Sequence, residues 1–295
     1  MISILSCGTL RATVLSRIVL LCVLLVTLAT VGCGGDEDTE PEIVAAFYPL
    51  AYAASQVAPE GMAVADLTPA GAEPHDLELT PGHVARLRDA THVVYAGGGF
   101  QPGLEDALED RPALDVLTAV PTLRDAEGEA VDPHVWLDPV RYAGVARAIA
   151  VELGDPSAAA RFVVRLEALD AELRRGLARC ERREIVTSHA AFGYLADRYR
   201  LVQVPLVGLS PEAEPSARDI ERLADEVRAT GATTVFFEPL VSPRLAETVA
   251  REAGVRTAVL DPLEGLTQEQ LDAGVDYFDV MRDNLTALRR ALGCT

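Results

Sequence analysis

Three of the five histidines in this 295-residue sequence stand where a metal ligand would be expected. His75, His134 and His189 lie at or just beyond the ends of short apolar runs, in loops that also hold proline or small residues. Open α/β sheets bind their ligands at the carboxyl ends of strands, so these side chains are expected to converge. Imidazole nitrogens suit zinc and other first-row divalent ions. More than fifty residues separate neighbouring members of the trio, which excludes a local finger motif.

Asp261 extends this pattern. It ends the apolar run 257–260 and is followed by proline, at the carboxyl end of the last predicted strand. Three imidazoles and one carboxylate would complete a tetrahedral or expanded site. We therefore predict Asp261 as the fourth ligand, bound directly or through water.

Other titratable side chains are ranked below these four. His83 falls in a predicted helix and His92 begins a predicted strand, so both are interpreted as structural. Ligating imidazoles usually donate their second N–H to an acceptor. Three acidic residues are candidates for that role, or are ordinary surface charges: Glu73, Asp76 and Glu238.

Alternating strand and helix patterns must position these residues. Eight short apolar runs predict strands, at 43–48, 63–68, 92–96, 113–117, 184–187, 201–207, 233–237 and 257–260. Helical spacing occurs at 81–89, 139–153, 156–180, 190–199, 216–230, 243–253 and 275–292. The alternation predicts parallel sheets, and hence an α/β fold of two four-stranded lobes joined by one long helix. That helix, at 156–180, would be almost 40 Å long at about 1.5 Å per residue.

The first 33 residues are predicted to be a targeting segment. Arg11 and Arg17 precede an unbroken apolar run at 18–31, which is short for a membrane span and typical of a secretory signal. The run ends at Cys33 after small residues, as in a bacterial lipobox, which predicts lipid attachment to Cys33 and a stable membrane anchor. Ordinary cleavage nearby and an uncleaved anchor helix stay open as alternatives.

Five segments follow from these patterns. They are a signal (1–33), a polar tether (34–42), an N-terminal lobe (43–155), a linking helix (156–180) and a C-terminal lobe (181–295). Whether Cys33 is lipidated, the signal is simply cleaved or it stays as an anchor helix, the folded part is predicted to be exported, to the periplasm or the cell exterior. An oxidising compartment would permit a disulfide between Cys180 and Cys294, and the sequence leaves open whether the two meet.

The net charge of the chain excludes some classes of binding partner. The formal net charge is −19 and the pI is about 4.6. Nucleic acid and anionic lipid heads would be repelled, which excludes both as partners. The same acidity raises the local cation concentration, although a solvated acidic surface also simply promotes solubility.

Six short segments resemble the metal-binding lipoproteins of bacterial ABC uptake transporters for zinc and manganese. They occur in the family's order and cover most of the predicted mature chain: FYPL at 47–50, EPH at 73–75, VVYAGGGF at 93–100, DPHVWLDP at 132–139, TSHAAFGY at 187–194 and FFEP at 236–239. The resemblance implies two lobes joined by a rigid helix, a metal role for His75, His134, His189 and Asp261, and a monomer that hands its ion to a membrane permease.

The residue at position 189 indicates which metal is bound. Manganese-type members of the family usually carry a glutamate where this chain has His189. Because manganese prefers oxygen ligands and imidazole is softer, the sequence predicts Zn²⁺, with Mn²⁺ as the alternative. Many zinc-type members also carry a histidine-rich loop, but the equivalent stretch at 123–132 holds no histidine, which argues against an accessory zinc-gathering role.

Two functions other than metal binding and delivery are considered, hydrolysis and surface adhesion. Three histidines with an open position are also a catalytic zinc arrangement, but the sequence has neither an HExxH pair nor a Gly-x-Ser-x-Gly elbow. Surface adhesion is sometimes ascribed to similar lipoproteins, and only the predicted anchor supports it here. The prediction is therefore a zinc-binding protein that is not an enzyme.

Overall fold

The computed structural model describes residues 42–125, 128–211 and 215–295. The predicted signal, the lipidated Cys33 and all of the tether except Glu42 lie outside the described residues. Within the described ranges, none of the helices is both long and apolar enough to span a bilayer.

Two four-stranded parallel sheets form the framework. The first contains β1 (Glu42–Ala45), β2 (Ala63–Asp66), β3 (His92–Tyr95) and β4 (Leu114–Asp115) in the order β2-β1-β3-β4. The second contains β5 (Glu184–Thr187), β6 (Val202–Pro205), β7 (Thr234–Phe237) and β8 (Arg256–Val259) in the order β6-β5-β7-β8. All eight predicted strands are present, and the two-lobed α/β fold is confirmed. Each sheet lies within one of the predicted lobes.

Ten α-helices connect and cover the strands of the described chain. They are α1 (Tyr48–Val57), α2 (Pro81–Asp89), α3 (Pro102–Leu108), α4 (Pro139–Glu152), α5 (Ala160–Gly176), α6 (Gly193–Tyr199), α7 (Ala217–Thr230), α8 (Arg244–Ala253), α9 (Gln268–Asp272) and α10 (Tyr277–Leu292). Helices α1, α3 and α9 were not expected. The latter two have seven and five residues, too few to show a helical period.

The linking helix is shorter than the sequence predicts. Helix α5 has 17 residues, which corresponds to about 26 Å rather than 40 Å. Its predicted apolar stripe is buried, including Phe162, Leu166 and Leu173, and packs against α4 and α10. A side chain on Gly176 would come within 2.8 Å of Leu285 on α10, so the two helices approach closely where α5 ends.

One apolar core runs through both lobes and supports the loops between the sheets. Trp136 is fully buried, and its indole N–H donates to the carbonyl of Pro262 across 2.7 Å. Tyr277, on α10, donates its hydroxyl proton to the carbonyl of Trp136, also at 2.7 Å. These bonds join the loop that follows β4 to the loop that follows β8, and therefore fix one lobe against the other beside the predicted ligands.

Cys180 and Cys294, which are 114 positions apart in the sequence, are joined by a disulfide with a sulfur–sulfur distance of 1.98 Å. Cross-linking such a long loop restricts the unfolded chain, and losing a native disulfide typically costs about 2–5 kcal/mol. We expect reductant to lower the free energy of unfolding by that amount, measured by urea unfolding. The double variant Cys180→Ser/Cys294→Ser should match the reduced protein and be insensitive to reductant. Equal stability of the oxidised protein and the double variant would contradict this.

Candidate metal site

Four side chains from four loops converge between the sheets. One ligand atom from each of His75, His134, His189 and Glu264 lies within 4.8 Å of all the others. His75 sits in a short 3-10 turn after β2, and His134 directly precedes another such turn, Val135–Leu137. His189 follows β5, and Glu264 follows β8. The structure thus brings together the three histidines that the sequence singled out, two from one lobe and one from the other.

The spacing of the four donors suits a small divalent ion. Glu264 Oε1 lies 2.9 Å from His134 Nε2, 3.2 Å from His189 Nε2 and 3.5 Å from His75 Nε2. A zinc ion about 2.0–2.1 Å from four tetrahedral ligands keeps those ligands roughly 3.3–3.4 Å apart. The carboxylate oxygen of Glu264 therefore already lies at about the separation from each imidazole nitrogen that zinc would impose, and the four donors form an N₃O set.

Two acidic residues orient the imidazole rings. Asp132 Oδ1 lies 2.8 Å from His134 Nδ1 and also accepts the backbone N–H of His134 at 2.9 Å. Glu238 Oε1 lies 2.6 Å from His189 Nδ1 and accepts a hydrogen bond from the Ser188 hydroxyl. A carboxylate at Nδ1 holds a proton there and leaves the Nε2 lone pair for a metal. Glu238 was expected in this role, whereas Asp132 was not.

His75 is held less tightly. Its Nε2 is buried, and apart from Glu264 Oε1 at 3.5 Å it has no hydrogen-bond partner within the described ranges. The ring packs edge-on against Phe100, with 4.3 Å between centroids. A buried nitrogen left without a good acceptor or donor is costly, and a bound cation would remove that cost.

The pKa values of the buried histidines and of Glu264 depend on one another. Burial opposes the charged form of His134, but the hydrogen bonds that it donates to Asp132 and Glu264 raise its pKa overall. Burial likewise opposes charge on His189, while Glu264 and Glu238 raise its pKa well above the usual value. Burial lowers the pKa of His75. Burial would raise the pKa of Glu264, but His189 and His134 hold it well below its usual range. In the metal-free protein, protons on the imidazoles thus offset the negative charge of Glu264. A divalent cation would displace these protons.

Asp261 lies outside the four-residue cluster, and Glu264 takes the fourth position instead. The carboxylate of Asp261 accepts the backbone N–H of Leu263 at 2.7 Å, and Asn284 hydrogen-bonds both backbone groups of Asp261. Asp261 therefore shapes the turn, in which Leu263 has a φ of 59°. Glu264, three residues further on, is buried and reaches the histidines. The sequence signal that could have identified Glu264 is the presence of a second carboxylate soon after the strand β8.

The remaining candidates have separate roles. Glu73 Oε1 accepts the backbone N–H of His75 at 3.2 Å rather than an imidazole proton. Asp76 is exposed at the rim of a neighbouring cavity. His83 belongs to the capping box of α2, and His92 pairs with Glu152 at 3.2 Å. Neither of these two histidines joins the cluster, as predicted.

Comparison with known proteins shows that the chain is similar to proteins that are named for zinc binding or zinc uptake. Residues 43–291 match the family described as zinc-uptake complex component A, periplasmic (ZnuA). The high-affinity zinc uptake system protein ZnuA of Bacillus subtilis is 32% identical, over 90% of this chain and 91% of that protein. The zinc-binding lipoprotein AdcA of Streptococcus pneumoniae serotype 4 is 35% identical over 94% of this chain. This chain spans only 61% of the length of that relative.

A solved structure shows the same fold. The Zn(II)-bound ZnuA-like domain of Streptococcus pneumoniae AdcA superposes with a TM-score of 0.73 at 37% identity. The match covers 86% of this chain and 99% of that domain.

Proposed function

Because this chain belongs to the zinc-uptake complex component A family, we propose that it is an extracytoplasmic protein that binds one zinc ion and delivers it to an ABC-type permease. The observation that carries this proposal is the buried N₃O cluster, whose members come from both lobes: His75, His134, His189 and Glu264.

Burial of the ligands favours binding over catalysis. The side chains of His134 and His189 are 0% exposed, Glu264 is 1% exposed and His75 is 8% exposed. A catalytic zinc keeps a coordination position open for water or substrate, whereas a four-ligand site is closed. Four convergent protein donors therefore support a carrier rather than the hydrolase alternative.

Delivery would use the division of the ligands between lobes. Because His189 and Glu264 belong to the second lobe, a small separation of the lobes would break the tetrahedron without unfolding either sheet. The core bonds through Trp136 would restrict that movement to a small one. A lipid at Cys33 would hold a monomer beside its permease, as the sequence predicts.

Metal analysis tests the proposal. Protein purified without residues 1–33 should retain or take up one zinc ion per chain, and zinc should displace manganese in direct competition. The absence of stoichiometric metal after loading with zinc would overturn it. Hydrolytic turnover that chelators abolish would favour an enzyme instead.

His189 is predicted to set the preference for zinc over manganese. His189→Glu replaces a nitrogen donor with oxygen and should shift the ratio of zinc to manganese affinity towards manganese by about 100-fold. Competition titrations with both ions measure the ratio. The new carboxylate would face Glu238, so His189→Glu/Glu238→Gln provides a second variant in which an amide can donate to it. Unchanged relative affinities in both variants would contradict the prediction.

A further inference from the structure

We propose that Tyr194 is a positioning residue for the metal site. From the second lobe, its hydroxyl holds the backbone of Asp132 in the first lobe, and the carboxylate of Asp132 in turn orients His134. Closure of the lobes is thereby coupled to the orientation of one imidazole ligand. The inference rests on the proposed function, because it concerns how the same ion is retained and released.

The hydroxyl of Tyr194 makes two hydrogen bonds from one lobe to the other. It donates to the backbone carbonyl of Asp132 at 2.7 Å and accepts the backbone N–H of Leu123 at 2.8 Å. Leu123 and Asp132 are also joined directly, since the N–H of Asp132 donates to the carbonyl of Leu123 at 3.0 Å. Tyr194 is 0% exposed, so water does not compete for these bonds. One side chain of the second lobe therefore fixes two points of the first lobe.

Asp132 carries this constraint to the ligand. Its Oδ1 accepts the backbone N–H of His134 at 2.9 Å and lies 2.8 Å from His134 Nδ1. A ring that ligates through Nε2 needs an acceptor at Nδ1 to fix its tautomer and its orientation. Because the side chain of aspartate is short, its carboxylate follows its backbone closely. The hydroxyl of Tyr194 therefore sets the direction in which the imidazole of His134 points.

Gly193 gives a second, independent contact between α6 and Asp132. A Cβ added at Gly193 would lie 2.6 Å from Asp132 Oδ2, which is closer than real Cβ atoms approach an oxygen. The backbone does not require glycine here, since its φ of −56° and ψ of −47° are ordinary helical values. The missing side chain instead makes room for the carboxylate. Two neighbouring residues of α6 thus lie against Asp132, one at its carbonyl and one at its carboxylate.

The same segment of the second lobe also supplies a ligand. His189 lies directly before the 3-10 turn Ala190–Phe192, which leads into α6. A separation of the lobes that moves His189 away from the ion would also move Tyr194 away from Asp132. One movement would then loosen two of the four ligands, His189 directly and His134 through Asp132. Release would therefore be faster than the loss of a single ligand allows.

A purely structural role for Tyr194 makes a different prediction. The guanidinium of Arg141 lies 5.0 Å from the centroid of its ring, and Tyr194→Phe keeps this contact while it removes the hydroxyl. Tyr199→Phe is the matched control on the same helix. Tyr199 is also buried, but its hydroxyl donates to Asp170 Oδ1 at 3.2 Å, and Asp170 is not a member of the metal cluster. If the hydroxyls only stabilised the fold, the two variants would release zinc alike.

Release of zinc into excess chelator, followed by stopped-flow fluorescence, tests the proposal. Trp136 is the only tryptophan of the chain, and its ring centroid lies 5.3 Å from that of His134, so its emission reports on the site. We expect Tyr194→Phe to release zinc about tenfold faster than wild type, as the loss of one buried hydrogen bond predicts. Tyr199→Phe should stay within about twofold of the wild-type rate, since its hydroxyl makes no bond to a residue that holds a ligand.

Two further measurements separate positioning from stability. In the Asp132→Ala background, Tyr194→Phe should change the release rate by less than about twofold, because no carboxylate is left to position. In the zinc-bound protein, the Nδ1 proton of His134 should exchange with solvent faster in Tyr194→Phe and at the wild-type rate in Tyr199→Phe, measured by nuclear magnetic resonance. Gly193→Ala, which displaces the carboxylate but keeps the hydroxyl, should also speed release.

The proposal is overturned by release from Tyr194→Phe at the wild-type rate, by an equal acceleration in Tyr199→Phe, or by an effect of Tyr194→Phe that persists in full in the Asp132→Ala background. If a thermal melt shows that Tyr194→Phe does not fold, Gly193→Ala decides: faster release supports the proposal and unchanged release overturns it. Wild-type protein that binds no zinc would refute the proposed function itself, whereas tight binding with unaltered release from Tyr194→Phe would refute only the positioning role.

Discussion

His134→Ala is expected to weaken zinc binding about 100- to 1,000-fold. Zinc sites in proteins supply about 10–16 kcal/mol in total, so one of four ligands contributes about 2.5–4 kcal/mol, and each 1.4 kcal/mol is tenfold in affinity. The loss falls at the upper end because His134 is fully buried between Asp132 and Glu264. Removing its imidazole deprives each of these carboxylates of one buried partner, which adds to the lost metal bond.

Competition with a chromophoric chelator measures this effect. His83→Ala is the matched control, since it removes the same side chain from a helix cap outside the cluster and should leave zinc affinity unchanged. Similar affinities of the two variants would contradict the assignment of His134. A thermal melt of each metal-free variant separates lost binding from lost folding.

The strands and the convergence of the histidines were predictable because both depend on local patterns. Apolar runs such as Glu184–Thr187 become buried parallel strands, and the residue after such a strand must lie at the edge where ligands bind. His189, two residues after β5, follows this rule directly, and His75 lies nine residues beyond β2 in the loop that leaves the same edge. His134 was recognisable mainly from the distinctive sequence around it.

The choice of the fourth carboxylate was not predictable, because it depends on the path of the chain after β8. Asp261 and Glu264 are both buried acids in the same turn. The left-handed conformation at Leu263 and the hydrogen bonds of Asn284 decide which of them reaches the histidines. Sequence patterns carry no information on either feature. The role of Asp132 was hidden for a similar reason, since an aspartate two residues before a histidine also suits an ordinary turn.

The length of α5 could not be predicted from the sequence, for a different reason. The apolar stripe of α5 identified the helix but not its ends, because residues outside it are also compatible with a helical period. The helix ends at Gly176, where α10 comes close, and that close approach is a tertiary contact. The disulfide between Cys180 and Cys294 likewise depends on where α5 and α10 end, which the spacing of the two cysteines does not reveal.

Glu264→Gln is expected to weaken zinc binding at least 100-fold, whereas Asp261→Asn should change it by less than about threefold. Glutamine is similar in shape but neutral, so the ion would lose the one negative ligand that lies within 3.5 Å of three imidazoles. Asparagine can still accept the N–H of Leu263, which is the contact that Asp261 makes.

The ionisation of Asp261 and Glu264 also favours Glu264 as the fourth ligand. Burial raises the pKa of Asp261 to about 7, so a large fraction of it is protonated at neutral pH and is a poor ligand. The imidazoles, by contrast, keep Glu264 ionised against the effect of burial. Zinc titrations of both variants at pH 7 decide between them. Loss of affinity in Asp261→Asn with little change in Glu264→Gln would restore Asp261 as the fourth ligand and require the loop after β8 to rearrange when metal binds.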